Sequence, residues 1–176
     1  SVFSGGNTNN VAKINNKSIS TQDFLQYVNQ SRINLEYVKE NIENNVIEEI
    51  LTGLVSNKLL EMEIESLKAQ NVKGVIVDLR GNGGGSLTEA TLLTGLFIEK
   101  GPVVQIRYGQ SKVSVNRDTD GEVAYDGPLT VLVDRYSASA SEIFAAAMQD
   151  YNRALIVGEQ TFGKGTVQQH RGLGKI

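Results

Sequence analysis

The sequence predicts an α/β protein in which a core of repeated strand and helix signals, from about residue 68 onward, is preceded by a mainly α-helical segment. Three observations carry this. Between Leu35 and Leu67 apolar residues recur at three- and four-residue steps, the period of a helix face. From Gly74 short apolar, β-branched runs alternate with helical patterns. The composition changes between the two: up to Leu67 five Lys/Arg stand against nine Asp/Glu, whereas from Lys68 twelve stand against eleven and glycine is frequent. The expected parts are a flexible tail over 1–10, rich in Ser, Gly and Asn, a helical segment over 11–67 and the α/β core over 68–176.

The helical segment opens with alternating apolar and polar residues over 11–19 around Asn15-Asn16-Lys17, which predicts a short hairpin. Ser20 is placed to cap a helix carrying Phe24, Leu25 and Val28. A longer helix is expected from Leu35 through Val38, Ile42, Val46, Ile50 and Leu54 to Leu67, with a break or kink at Gly53.

In the core, 74–79 reads as a buried strand and Arg80-Gly81-Asn82-Gly83-Gly84-Gly85 as a turn that needs glycine's conformational freedom. Ser86 and Glu89 form a capping-box pattern for a helix reaching about residue 100. A strand over 103–108, a turn over 118–121, a strand over 129–133, a helix over 139–151 and a strand over 154–157 follow. The Gly163-Lys164-Gly165 turn then leads into a last strand fragment over 166–170.

Composition narrows the chemistry. The absence of cysteine rules out a disulfide framework, a zinc-thiolate site and a cysteine nucleophile. A net charge of −3 without a Lys/Arg cluster gives no footprint for nucleic acid. No run approaches the length of a membrane span, and the N-terminus lacks the pattern of a signal peptide, so an exported protein would be met here in mature form. No pair of histidines or clustered carboxylates suggests a metal, and no cofactor motif is complete. The triple glycine invites a phosphate-loop reading, but no Gly-Lys-Ser/Thr follows it and the dinucleotide-binding spacing is absent, so its better use is as a second oxyanion donor, from a backbone N–H beside a serine. The sequence carries no signal of oligomeric state.

What remains is a serine and a lysine. The strand over 129–133 runs into small residues and then a helix, so a hydroxyl is presented where backbone N–H groups point outward. Ser137 looks pre-helical, Ser141 falls in the first turn, and Ser139 sits at the junction with the Ala140 N–H beside it, suited to an oxyanion. Lys164 lies between glycines after another strand and could act as a base if neutral; Phe162 and the neighbouring strands are expected to supply apolar walls that favour the neutral form. Spacing alone reads Lys164 equally well as a surface residue, and each serine by itself more readily as a cap than as a nucleophile. His170, the only histidine, reads as structural or exposed.

From about Leu67 to the end the chain resembles the catalytic core of the tail-specific proteases, the C-terminal processing peptidases of bacteria. The resemblance rests on four runs: Val77-Asp78-Leu79-Arg80-Gly81-Asn82-Gly83-Gly84-Gly85; Val133-Asp134-Arg135-Tyr136-Ser137-Ala138-Ser139-Ala140-Ser141-Glu142; Ala147-Met148-Gln149-Asp150; and Gly158-Glu159-Gln160-Thr161-Phe162-Gly163-Lys164-Gly165-Thr166-Val167-Gln168. It implies a ClpP/crotonase-like Ser-Lys protease fold, with Ser139 as nucleophile, Lys164 as general base and Gln168 as the residue that orients the lysine. It further implies Gly85 and Ala140 as oxyanion-hole donors and Asp150, Glu142 and Thr161 as supporting positions. The implied chemistry is endoproteolysis without ATP, metal or cofactor, on unfolded or C-terminally marked proteins. The segment over 11–67 resembles the N-terminal domain of SurA-like periplasmic chaperones, which bind apolar segments of unfolded envelope proteins. Together these imply a periplasmic location and a fused arrangement, with the protease core truncated and lacking the family's PDZ domain. The alternative is a catalytically incomplete, chaperone-like module that binds apolar peptide.

Overall fold

A computed structural model of the chain describes residues 9–31, 33–40, 46–109, 112–119 and 121–168. They fall into two compact units, Ser1–Val72 and Lys73–Ile176.

In the first unit, β1 (Asn10–Ile14) and β2 (Lys17–Ser20) form the expected antiparallel hairpin, turning at Asn15 with φ 51°. Asparagine tolerates that left-handed conformation better than most residues. Most of the tail predicted over 1–10 lies outside the described residues. Ser20 caps α1 (Thr21–Gln30) through a complete capping box with Asp23. Tyr27 and Val28 are buried, whereas Leu25, expected on the same face, is half exposed. Of the long helix expected from Leu35, the described parts are α2 (Leu35–Glu40) and α3 (Val46–Ala69); 41–45, with Ile42, lies outside the described residues. Gly53 neither breaks nor ends α3 but is buried within it. Val46, Ile50, Leu54 and Ile64 of α3 are buried, as is Ile19 of β2.

The second unit is built on β3 (Val75–Asp78), β6 (Leu129–Val133) and β7 (Leu155–Gly158), a parallel sheet with β6 in the middle. β6 alternates strictly, with Leu129, Val131 and Val133 buried. The helices α4 (Leu87–Gly95) and α5 (Ala140–Asp150) pack against each other, and Phe97 meets Phe144 edge-on at 5.9 Å. Arg153 ties this layer together, donating to Phe97 O at 2.9 Å and Tyr125 O at 2.7 Å.

The core is α/β, as expected, but not a simple run of strand–helix repeats. Between α4 and β6 lies an antiparallel hairpin, β4 (Gly101–Tyr108) with β5 (Lys112–Asp118). α4 ends at Gly95 rather than near residue 100, and β5 occupies the stretch before the expected turn. The strand fragment expected over 166–170 is absent from its described part: 160–168 has no regular structure, and His170 lies outside the described residues. The parallel strands β3, β6 and β7 place their C-terminal ends side by side, where ligands of open α/β sheets bind.

Candidate active site

Three connections leave those C-terminal ends: a glycine turn after β3, a serine turn after β6 and the lysine loop after β7. The serine turn is the most constrained. Ser139 is the N-cap of α5 and adopts φ 57°, ψ −115°, a region costing a residue with a side chain about 1–3 kcal/mol. A sharp, strained strand-to-helix turn is a known means of presenting a nucleophilic serine. The two other serines are engaged in holding the turn. Ser137, fully buried, donates from Oγ to Leu79 O at 2.7 Å and accepts from Asp134 N at 2.9 Å. Ser141 donates from Oγ to Asn82 O at 3.1 Å.

The glycine turn is fitted against the serine. A Cβ on Gly84 (φ +103°) would stand 2.7 Å from Ala138 O, 2.8 Å from Ser139 Cβ and 3.0 Å from Ala140 N. No other amino acid fits there without moving the backbone. The Gly84 N–H is taken by Asn82 Oδ1 at 2.9 Å, and Ser86 caps α4, accepting from Glu89 N at 3.3 Å. Gly85 lies between, with open space where its side chain would be. Ala138 N donates to Asn82 O at 3.0 Å, closing one turn on the other.

The lysine loop is joined to the serine turn through one carboxylate. Glu142 Oε2 accepts from Ser139 N at 2.8 Å and Lys164 N at 2.9 Å; Oε1 accepts from Thr161 Oγ1 and Gly163 N, each at 2.7 Å. Phe162 N adds a bond to Ser137 O at 3.0 Å. Burial pushes the Glu142 carboxyl up, but the Thr161 hydroxyl and the three backbone N–H groups outweigh it and hold the acid below its ordinary value of 4.5. Its place in the first turn of α5, at the positive end of the helix dipole, favours the anion as well.

Ser139, Ala140, Glu142, Thr161 and Lys164 are thus brought together, with Gly84 and Gly85 alongside. Asp150 is not: it ends α5, about 15 Å along the helix axis from Ala140, beside a cavity of about 360 Å³ lined in part by Pro102 and Tyr151. Gln168 lies exposed in the irregular stretch. The apolar walls expected around Lys164 are not formed either, for the lysine is exposed and Phe162 is 66% exposed. The reason is local: Glu142 fixes the loop by its backbone, which leaves the side chains of Phe162 and Lys164 turned outward. Sequence reasoning missed Asp134, whose carboxylate accepts from Gly81 N at 3.0 Å, Tyr136 N at 2.9 Å and Ser137 N at 3.0 Å. An Asp just after a strand and before small residues is an Asx-turn signal, and that was the available clue.

A strained serine at a helix N-terminus, with a glycine turn pressed against it at the C-terminal edge of a parallel sheet, defines an α/β protein with a serine-hydrolase type of site. The comparisons make this specific. The model of peptidase family S41 matches residues 48–175, and the chain belongs to that family. The SurA-like N-terminal domain model matches residues 1–79, overlapping the first across most of α3 and β3. The tail-specific protease of Haemophilus influenzae is 57% identical over 119 residues, covering 68% of this chain and 17% of that protein. The carboxy-terminal processing protease CtpA of Bacillus subtilis is 38% identical over 145 residues, 80% of this chain and 31% of that one. Among solved structures, a photosystem II D1 C-terminal processing protease aligns with a TM-score of 0.60 at 34% identity, over 64% of this chain and 29% of its own. The chain therefore spans less than a third of the length of each of these relatives. No helix among the described residues is long and apolar enough to cross a membrane.

Proposed function

We propose that the second unit carries the Ser139–Lys164 centre of a serine endopeptidase acting on unfolded or C-terminally marked envelope proteins in the periplasm, without ATP or metal. The observation that carries this reading is the Glu142 carboxylate, which accepts from the backbone N–H of both Ser139 and Lys164. It sets the nucleophile and the base on one support.

In this mechanism Ser139 Oγ attacks the scissile carbonyl carbon while Lys164 Nζ, neutral at that moment, takes the hydroxyl proton. The oxyanion is received by the N–H groups of Gly85 and Ala140. Collapse of the tetrahedral intermediate releases the amine, protonated by Lys164, and leaves an acyl ester on Ser139. A water deprotonated by Lys164 then attacks the ester, and on collapse the lysine returns that proton to Ser139 Oγ, freeing the carboxylic acid and restoring the neutral lysine. Because Lys164 is exposed in the free chain, we assign its desolvation to the bound substrate: covering the ammonium with apolar peptide disfavours the charged form. Gln168 would orient the amine once the loop is covered, Thr161 supports Glu142, and Asp150 takes no part in the chemistry. The organisation we propose is a binding segment over 11–67 joined to a protease core over 68–176.

A second reading is favoured by the SurA-like match: the first unit binds apolar segments of unfolded proteins and the second is a scaffold. One experiment separates the two. An unfolded protein with an apolar C-terminus is incubated with the chain, Ser139→Ala and Lys164→Ala in the presence of EDTA, followed by mass spectrometry after a fluorophosphonate probe. Cleavage lost in both variants, with label on Ser139, is the expected result. No cleavage and no label, with the substrate still held soluble, would favour the binding module.

A further inference from the structure

We propose that Asp134 is a positioning residue for the Ser139 centre: its carboxylate clamps the glycine turn to the serine turn and so sets where the oxyanion donors stand relative to the nucleophile. The inference rests on the reading above and adds a residue to it.

The two turns are separate in sequence and meet only through side chains and a few backbone bonds. Asp134 follows the last residue of β6, in the middle of the sheet. Its Oδ1 accepts from Tyr136 N and Ser137 N, which closes the serine turn on itself. The same carboxylate accepts from Gly81 N, at 3.0 Å to Oδ1 and 3.1 Å to Oδ2, across 53 residues. Gly81 has φ +70° and is the point at which the chain turns back toward Gly84 and Ser139. The acceptor in this link is ionised, which strengthens a hydrogen bond relative to a neutral one, and the link joins the two turns beside the neutral Ser137–Leu79 and Ser141–Asn82 bonds. The Gly81 N–H, with those of Tyr136 and Ser137, holds the carboxyl below its ordinary value of 3.8, so the clamp is ionised at neutral pH.

The consequence for the reaction is geometric. A Cβ on Gly84 would stand 2.7–3.0 Å from Ala138 O, Ser139 Cβ and Ala140 N, so the glycine turn runs close beside the serine turn, and Gly81 lies on that same turn four residues before Gly85. One oxyanion donor is worth about 10²–10³ in kcat when removed outright, and a displaced one loses part of that.

Asp134→Asn weakens the clamp more than the local turn. Its oxygen, at the Oδ1 position, still accepts from Tyr136, Ser137 and Gly81, but the charge is lost and the amide at the Oδ2 position sets a donor against the Gly81 N–H, which opposes that bond alone. Two measurements on the full chain test the proposal. In backbone amide hydrogen exchange, Asp134→Asn is expected to speed exchange roughly tenfold at Gly81 and to loosen Gly84, Gly85 and Ala140, while Tyr136 and Ser137 keep their protection. In acylation by an activated ester, kcat is expected to fall about tenfold with KM unchanged, and Asp134→Ala to fall further. Acylation at the wild-type rate, or unchanged exchange at Gly84 and Ala140, would overturn the clamp and leave Asp134 a local turn residue. If the wild-type chain takes neither ester nor phosphonate at Ser139, the protease reading fails; the exchange data then decide the clamp alone, loosening supporting it and its absence overturning it.

Discussion

Three helices among the described residues begin with a serine and an acid three residues later, and the contrast between α1 and α5 shows what sets apart the start at the proposed active site. Ser20 and Asp23 open α1; Ser139 and Glu142 open α5, a serine with an acid three residues later in each case. At Ser20 the backbone is ordinary, φ −82° and ψ 164°, and the capping bonds join only Ser20 and Asp23: Asp23 N to Ser20 Oγ at 3.1 Å and Ser20 N to Asp23 Oδ2 at 2.7 Å. At Ser139 the backbone is strained, and the acid accepts one local N–H and three donors that lie 19 to 22 residues away. The motif shows where a helix starts. The backbone angles of the serine and the origin of the acid's other partners show what the start is for.

The sharpest break between the two is chemical. Ser139→Ala and Lys164→Ala are each expected to lower peptide cleavage by about a thousandfold or more, while leaving the fold in place. Ser20→Ala should leave cleavage unchanged and cost about 1 kcal/mol of stability, the ordinary worth of a serine N-cap. Cleavage rates and denaturant midpoints on the three variants check this; cleavage retained in Ser139→Ala would place the nucleophile elsewhere.

The acids differ next. Glu142→Ala strips the acceptor from three backbone N–H groups and a hydroxyl, and is expected to reduce cleavage about 10- to 100-fold and to open 160–168 to proteolysis. Asp23→Ala removes a cap, costs about 0.5–2 kcal/mol, and leaves the lysine loop as resistant as before. Limited proteolysis read by mass spectrometry distinguishes a local loss from one that reaches across the fold.

Why the sequence discloses one half of this and conceals the other follows from the range of the interactions. β3, β6 and β7 are short apolar, β-branched runs bounded by turn residues, and all three are legible to within a residue or two. β5, Lys-Val-Ser-Val-Asn-Arg-Asp, is polar and half exposed, so it reads as loop until β4 is known to pair with it. Gly53 is tolerated in α3 because burial there compensates a poor helix former. Ser139 and Lys164 are legible as candidates through their small and glycine-rich surroundings. The glycine turn is legible as a turn, but the link from Asp134 to Gly81 is not, because the two lie 53 residues apart in sequence and no local pattern records it.

Acid should separate the two starts by what moves together. Both carboxyls sit below their ordinary values, Glu142 below 4.5 and Asp23 below 3.8, so each stabilises the folded state fully above that value. Asp23 is lowered first by the backbone N–H of Ser20 and then by its side chain, against a small penalty of burial. As pH falls through the folded pKa of each acid, its contribution is lost. In an NMR titration the Gly163 and Lys164 amides are expected to move with Glu142 and with Ser139, whereas the Asp23 transition moves the Ser20 amide and nothing in the second unit. Lysine-loop amides that stay still while Glu142 titrates would break the link that the proposed mechanism stands on.

The smallest expected effect has opposite signs at the two serines. Ser20 has a backbone any residue adopts, so Ser20→Gly removes a capping hydroxyl and costs a few tenths of a kcal/mol. Ser139 is held at φ 57° and ψ −115°, where a Cβ is a liability and glycine is not. Ser139→Gly keeps the backbone N–H that donates to Glu142, removes the proposed nucleophile, and relieves strain. It is expected to stabilise the second unit by about 1 kcal/mol, net of the added freedom of the unfolded chain, and to raise its Tm by about 2–4 °C. Ser139→Ala, which keeps the Cβ, should show no such gain. Calorimetry on the three variants reads the difference directly, and a Ser139→Gly chain no more stable than Ser139→Ala would mean that the angle at Ser139 costs the fold nothing.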